Sequence, residues 1–402
     1  MKYVIVLGDG MADYPIEQIG GQTVLEHADT PALDELARES EVGMLLTVPE
    51  GMSPGSDTAN LSVIGYDPRK YYSGRSPLEA LSIGVDMKPT DISFRCNIVT
   101  LSEEEADYED KVIIDHSSSE ISTEDAAVLL KAVSDVLEKE YSGYKFYVGT
   151  SYRHLTIWEH GEVLPLTPPH DILGKKIGEY LPADTVLYEM MEKSYAILAD
   201  HPINIERKKQ GLNPANSIWF WGAGTRPALS DFEAKNGKKG VMISAVDLLK
   251  GIAVGAGMKV VEVEGANGGL HTNYEGKAMA AVEALCNEDY DFAYIHVEAP
   301  DEMGHQGSLE RKLQAVENLD KKVIRVVKEQ LEAKGEDFRL LVLPDHPTPI
   351  KLRTHVGEPV PYLLYDSTKR RASDLLYNEK DAKKSGIYIK NGYEMIDHLF
   401  EK

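Results

Sequence analysis

The sequence predicts an α/β protein: a mostly parallel sheet flanked by helices, interrupted in its middle third by an inserted α+β domain. Two observations predict it. In the outer segments, short continuous apolar runs of the kind buried on both faces of a parallel sheet alternate with stretches of helical periodicity. Between residues 91 and 213 the alternation gives way to hairpin-like strands around helices, the pattern of an α+β unit. At 402 residues the chain exceeds what one core usually fills. Two domains are expected, a discontinuous one from 1–90 and 214–402, and an insert at 91–213.

The elements follow in order. Tyr3, Val4, Ile5, Val6 and Leu7 form the first strand, ended by Gly8 and Asp9. Thr30 before Pro31 starts a helix, a capping side chain followed by proline at the first helical position, with Leu33, Leu36 and Ala37 turned inward. Residues 42–48 are the next strand, and a Gly/Pro/Ser-rich loop over 49–55 leads into a helix that begins at Ser56. In the insert, strands are expected at 92–100 and 111–115 and near Phe146 and Leu155. A helix capped at Ser122 should bury Leu129, Val133, Val136 and Leu137. Trp219 and Trp221, with Gly222, Ala223 and Gly224, read as packing at a domain junction. After Asn216 come a helix from Ser244, strands at 259–264, 292–297 and 340–343, and a long helix from Ser308. That helix places Leu309, Leu313, Val316, Val323, Val327 and Leu331 on one face.

Charge and composition narrow the function. Acidic residues outnumber basic ones 66 to 43, a formal charge of −23 at pH 7, which repels phosphate backbones and argues against nucleic acid as a partner. No apolar run approaches the ~18 residues of a membrane span, and the N-terminal run is too short for a signal-peptide core. Two cysteines, Cys96 and Cys286, make neither a disulfide framework nor a thiolate cluster. A cytoplasmic protein acting on a small metabolite is expected, without a membrane or nucleic-acid partner. The oligomeric state is not legible.

Three strands deliver an acid just past their carboxyl ends, at Asp9, Asp301 and Asp345. Ligand crevices of open parallel sheets lie outside those ends, so distant carboxylates can converge there. His305 stands four residues after Asp301, His346 beside Asp345, and His355 just beyond. Taken singly, Asp9 before Gly10 is a turn and His305 a loop or cap residue. Taken together, imidazoles with carboxylates read as a divalent centre of the Mn²⁺, Zn²⁺, Co²⁺ or Fe²⁺ type. Ser56 is the candidate nucleophile. No His-based triad accompanies it, so a bound cation is the activator its hydroxyl needs, and the helix start it occupies favours an incoming phosphate. Arg95, Arg153, His154 and Lys250 are candidate grips for carboxylate or phosphate oxygens. No Walker loop and no complete dinucleotide fingerprint follows a strand.

Asp9-Gly10, Pro54-Gly55-Ser56-Asp57-Thr58-Ala59-Asn60-Leu61, Pro300-Asp301 with Gly304-His305, Pro344-Asp345-His346 and Thr354-His355 resemble the alkaline phosphatase superfamily. Within it the chain is similar to the archaeal-type cofactor-independent phosphoglycerate mutases, over nearly its whole length. That likeness takes in Phe94-Arg95-Cys96-Asn97 and Tyr152-Arg153-His154. The resemblance implies an alkaline-phosphatase-like fold with a substrate-binding lid hinged near 87–90 and 211–216. It implies two divalent ions, Mn²⁺ foremost with Zn²⁺, Co²⁺ or Mg²⁺ as alternatives. Asp301, His305 and His355 would hold one ion, and Asp9, Ser56, Asp345 and His346 the other. It further implies a phosphoserine at Ser56 that interconverts 3-phosphoglycerate and 2-phosphoglycerate. Lys250 and Arg153 would assist catalysis, and Asn60, Arg95, Asn97, Arg153, His154 and Lys250 would bind substrate.

One stretch departs from the family. Where two cations are expected in the lid, this chain reads Asp115-His116-Ser117-Ser118-Ser119-Glu120. A less cationic lid suits a less anionic substrate, so a homoserine kinase-type phosphotransferase of the same superfamily is the alternative.

Overall fold

The apolar N-terminal run forms the strand Lys2–Gly8 near the middle of an eight-stranded sheet. The computed structural model describes residues 1–401. In sheet order the strands are Tyr388–Ile389, Glu41–Leu45, Val360–Asp366, Phe338–Leu343, Lys2–Gly8, Phe292–Val297, Gly240–Ile243 and Lys259–Val260. From Phe338–Leu343 to Lys259–Val260 all neighbours run parallel, while Val360–Asp366 is antiparallel to both of its neighbours. The expected mostly parallel sheet flanked by helices is therefore present. Three adjacent strands end level, because Leu7 pairs with His296 on one side and with Leu343 on the other. Parallel strands have both faces covered, which is why Val4 to Leu7, Phe292 to Val297 and Leu340 to Leu343 are almost without solvent exposure.

The long helix expected from Ser308 is present in three pieces, Leu309–Leu319, a π turn at Asp320–Ile324, and Arg325–Ala333. Val316, Val323, Val327 and Leu331 are buried as expected, whereas Leu309 and Leu313 are half-buried. The π turn carries the fully buried Asp320, whose carboxylate accepts from Ala32 N–H at 3.2 Å and Leu33 N–H at 2.7 Å. Thr30 makes no side-chain cap bond on the helix Pro31–Ala37, so the expected local cap is replaced by one from 288 residues away. The helix expected from Ser244 begins later, at Asp247, with Val246 at its N-cap and the Ser244 hydroxyl accepting from Val246 N–H at 3.0 Å.

The chain divides into two compact units, Ser73–Pro227 and the rest. The unit Ser73–Pro227 is larger at both ends than the 91–213 span expected from the sequence pattern. Its strand Ser217–Thr225 pairs with Ile92–Leu101 along its length, which brings Trp219 and Trp221 into the insert's own sheet. The helix Arg75–Ser82 packs on the same two strands, with Ser76 Oγ donating to the Gly222 carbonyl at 2.6 Å. The hairpin Tyr144–Thr150 and Arg153–Trp158 and the short strand Ile113–Asp115 complete the sheet. Ser122 caps the helix Thr123–Glu140 as expected, but Val136 is exposed while Leu129, Val133 and Leu137 are buried. Among the described residues, no helix is long and apolar enough to cross a membrane.

Strand alternation separates two residues that adjacency had grouped. Arg153 lies opposite Asn97 and is exposed, while His154 lies opposite Cys96 and is 2% exposed. His154 therefore belongs to the insert's core face. Its Nδ1 accepts from Gly149 N–H at 3.1 Å, and burial holds its pKa down at about 4.

Two outcomes follow. Asp320→Ala leaves two helix N-terminal amides without an acceptor and should lower the unfolding free energy by about 2 kcal/mol in urea titrations; a loss under about 0.5 kcal/mol would show that the cap contributes nothing. His154 stays neutral in the fold to about pH 4 but takes up a proton near 6.5 when unfolded. Above pH 6.5 it costs nothing, and as pH falls from 6.5 towards 4 it destabilises the fold. The wild type should thus lose about 2–3 kcal/mol more than His154→Gln between pH 7 and pH 4.5. Equal losses in the two proteins would contradict this assignment.

Candidate active site

The three level strand ends place their following residues together. Asp9 follows Lys2–Gly8, the helix Ala299–His305 starts after Phe292–Val297, and Asp345 lies two residues past Phe338–Leu343. Asp301 and His305 stand one helical turn apart, with His305 Nε2 3.2 Å from Asp301 Oδ2. Gly10 turns the first loop through a left-handed φ of 59°, and a Cβ there would lie 2.6 Å from Asp301 Oδ1. Only glycine permits this approach.

All seven side chains expected at the metal centre converge. Ser56 is the first residue of the helix Ser56–Val63, and its Oγ lies 3.4 Å from Asp9 Oδ2 and 3.2 Å from His346 Nε2. His346 Nε2 is 3.2 Å from Asp345 Oδ2 and 3.7 Å from Asp9 Oδ1. His355 Nε2 lies 3.4 Å from Asp301 Oδ1 and 2.9 Å from His305 Nε2. Asp9, Asp345 and His346 form one group with ligand atoms within 4.8 Å of one another, and Asp301, His346 and His355 form a second. His346 is common to both, its ring stacked on that of His355 with centroids 4.0 Å apart.

The donor set fits divalent cations on four grounds. Asp9, Asp301 and Asp345 are 2%, 6% and 0% exposed, so three acids share a dry space. Burial and then the neighbouring Asp345 push the Asp9 carboxyl well above its ordinary range, as expected for carboxylates that lack a compensating cation. Asp9 Oδ1 is buried without a hydrogen-bond partner. Finally, His305 Nδ1 donates to the Arg353 carbonyl at 2.9 Å, and its other ring nitrogen, Nε2, faces both Asp301 Oδ2 and His355 Nε2. Two imidazole nitrogens facing each other at that distance need a proton or a metal ion between them.

A surrounding set of donors fixes these groups. Asn60, expected in substrate binding, instead donates from Nδ2 to Asp345 Oδ2 at 3.1 Å and to the Ser56 carbonyl at 2.8 Å, and Tyr294 donates to its Oδ1 at 2.5 Å. It holds the helix that starts at Ser56 against the acid. His296 is fully buried, and burial holds its pKa down at about 3, so it is neutral. Its Nε2–H donates to Asp9 Oδ2 at 2.9 Å while Nδ1 accepts from Ser244 at 3.2 Å. Sequence reasoning passed over His296, although a lone histidine inside the apolar run Phe292–Val297 was the available signal. Thr348, between two prolines, gave no such signal.

The candidate substrate residues are placed differently. Arg95 is already neutralised, paired bidentately with Glu79 at 2.7 and 2.8 Å and stacked 4.5 Å from the Trp221 ring. Asn97 Oδ1 accepts from Trp221 Nε1 at 3.0 Å, and His154 is buried in the insert as described. Lys250 Nζ is paired with Glu262 at 2.8 Å. Arg153, exposed and 5.2 Å from the Tyr152 ring, keeps an accessible guanidinium. The stretch that departs from the family makes a left-handed turn, with φ of 50°, 56° and 48° at Ser118, Ser119 and Glu120. Asp115 organises it by accepting from Ser117 N–H, Ser119 N–H and Asn213 Nδ2. Arg207 also donates to the Ser118 carbonyl, so a cation does reach this turn, from a distant part of the insert.

The family model described as 2,3-bisphosphoglycerate-independent phosphoglycerate mutase matches residues 37–204. A protein of that description from Methanosarcina mazei is 47% identical over 100% of this chain and 100% of its own length. One from Methanosarcina barkeri is 46% identical over 99% of each. Among solved structures, the PH0037 protein from Pyrococcus horikoshii is similar with a TM-score of 0.81 at 29% identity, covering 100% of this chain and 97% of its own. A cofactor-independent phosphoglycerate mutase from Thermoplasma acidophilum gives 0.66 at 27%, covering 100% and 99%. With nearly half its residues identical to those relatives from end to end, the chain belongs to the 2,3-bisphosphoglycerate-independent phosphoglycerate mutase family.

Proposed function

We propose that the protein interconverts 3-phosphoglycerate and 2-phosphoglycerate by metal-dependent phosphoryl transfer through a phosphoserine at Ser56. The observation that carries this reading is the position of Ser56 Oγ, at a helix start and within 3.4 Å of Asp9 and His346. Asp301, His305 and His355 would hold one divalent ion and Asp9, Ser56, Asp345 and His346 the other, Mn²⁺ being the first choice. When bound, such a pair neutralises the carboxylates, activates the serine hydroxyl and screens the phosphoryl oxygens.

The chain's own groups do the rest. Ser56 Oγ forms a bond to phosphorus as the bond from phosphorus to the glycerate 3-oxygen breaks, and the serine proton passes to the departing 3-hydroxyl. The glycerate then presents its 2-hydroxyl. That oxygen attacks phosphorus, the Ser56–phosphorus bond breaks, and the 2-hydroxyl proton returns to Ser56 Oγ. The helix Ser56–Val63, which starts without a side-chain cap, would present the positive end of its dipole to the transferred group. Asn60 keeps that helix registered against Asp345. Catalysis is then mostly positioning and charge neutralisation.

Metal-loaded protein should turn over 3-phosphoglycerate in an enolase-coupled assay, with EDTA abolishing and Mn²⁺ restoring the rate. Ser56→Ala should lose at least about 10³-fold in kcat. A ³¹P NMR panel should show 2-phosphoglycerate forming and no O-phosphohomoserine from homoserine with a nucleotide donor. Turnover of another phosphate ester with none of 3-phosphoglycerate would refute the mutase reading.

A further inference from the structure

Lys312 lies on the helix Leu309–Leu319 with its side chain wholly buried, on a face whose other buried residues are Ala315, Val316 and Leu319. An ammonium in such a place is costly unless its protons all find acceptors, and an apolar residue of similar volume would often serve stability as well. Here all three protons are used. Nζ donates to the Ala12 carbonyl at 3.2 Å, to Asp13 Oδ2 at 2.8 Å and to the Thr348 carbonyl at 2.8 Å.

These acceptors belong to two loops. Ala12 and Asp13 continue the loop that carries Asp9, and Thr348 stands two residues past His346. The same loops meet through backbone bridges from Met11 and Ala12 to Pro347, and Asp13 also accepts from Ile350 N–H at 3.1 Å. Thr348 carries the constraint onward. Its Oγ1 donates to Asp301 Oδ1 at 2.5 Å and lies 3.3 Å from His346 Nδ1. There is no slack around it, because a Cβ on Gly10 would sit 2.5 Å from Thr348 Oγ1 and one on Gly304 2.6 Å from its carbonyl oxygen. Thr348 therefore cannot move without moving Asp301.

We propose that Lys312 is a positioning residue of the metal-binding centre: its ammonium fixes the two ligand-bearing loops against each other and, through Thr348, aims the Asp301 carboxylate and the His346 ring. This rests on reading the converged donors as a divalent metal centre. Hydrogen-bond partners behind metal ligands typically change affinity by about 10–100-fold.

The test is a calorimetric titration of Mn²⁺ into the metal-stripped full chain, for wild type, Lys312→Met and Thr348→Val, with circular dichroism reporting the fold. Thr348→Val keeps the volume and the carbonyl that Lys312 uses but deletes the hydroxyl. Both variants should bind Mn²⁺ at least about tenfold more weakly while retaining a cooperative melt. At saturating Mn²⁺ the kcat for 3-phosphoglycerate should recover towards wild type. A wild-type chain that binds no Mn²⁺ would overturn the metal reading itself. A wild type that binds, with both variants binding equally well, would overturn the role of Lys312 alone. Should Lys312→Met fail to fold, undiminished Mn²⁺ affinity in folded Thr348→Val would overturn the proposal.

Discussion

Three carboxylates held side by side out of water set the terms for this protein. Asp9, Asp301 and Asp345 stand at the ends of three neighbouring strands, each almost fully buried. Two like charges about 5 Å apart at an effective dielectric near 20 repel by about 3 kcal/mol. A whole domain is stable by only about 5–15 kcal/mol. The fold therefore meets each acid with donors: Gly10 N–H and Asn60 at Asp345, His296 at Asp9, and Thr348 at Asp301. One oxygen of Asp9 is still left without a donor. Burial and the neighbouring Asp345 still push the Asp9 carboxyl well above its ordinary range, so these donors do not by themselves let all three acids ionise together, which a divalent ion would.

Most of the converged donor set was legible because its parts obey local rules. Continuous apolar runs mark parallel strands, parallel strands place their ends together, and Asp301 with His305 follows helical spacing. Those rules name the ligands but not what holds them. His296, Lys312 and Thr348 reveal their work only once the strands are in register, since each acts on residues distant in sequence. The cap on the helix Pro31–Ala37 was misread for the same reason, as Asp320 supplies from afar what Thr30 was expected to supply locally.

The candidate cationic grips were the least legible feature. A sequence shows that Arg95 and Lys250 are charged, but not that Glu79 and Glu262 already hold them. In a chain with 66 acidic residues and 43 basic ones, a basic side chain meets an acid more readily than a substrate. The insert's boundaries were hidden similarly, because Ser217–Thr225 and Arg75–Ser82 belong to it through pairing and packing rather than composition.

Each compact unit has its own apolar core, one built on the parallel sheet and one on the insert's antiparallel strands. All seven converged donors come from the first, and the stretch that departs from the family lies wholly in the second. A change at Asp115–Glu120 alters hydrogen bonds with Asn213 and Arg207, both in the same unit. Separate cores constrain the two kinds of residue differently: a donor at the strand ends cannot change without leaving a buried charge unanswered, whereas the insert's turn is held by hydrogen bonds within its own unit. The insert's turn therefore answers to the insert's own hydrogen bonds, and the strand ends to the charge they bury.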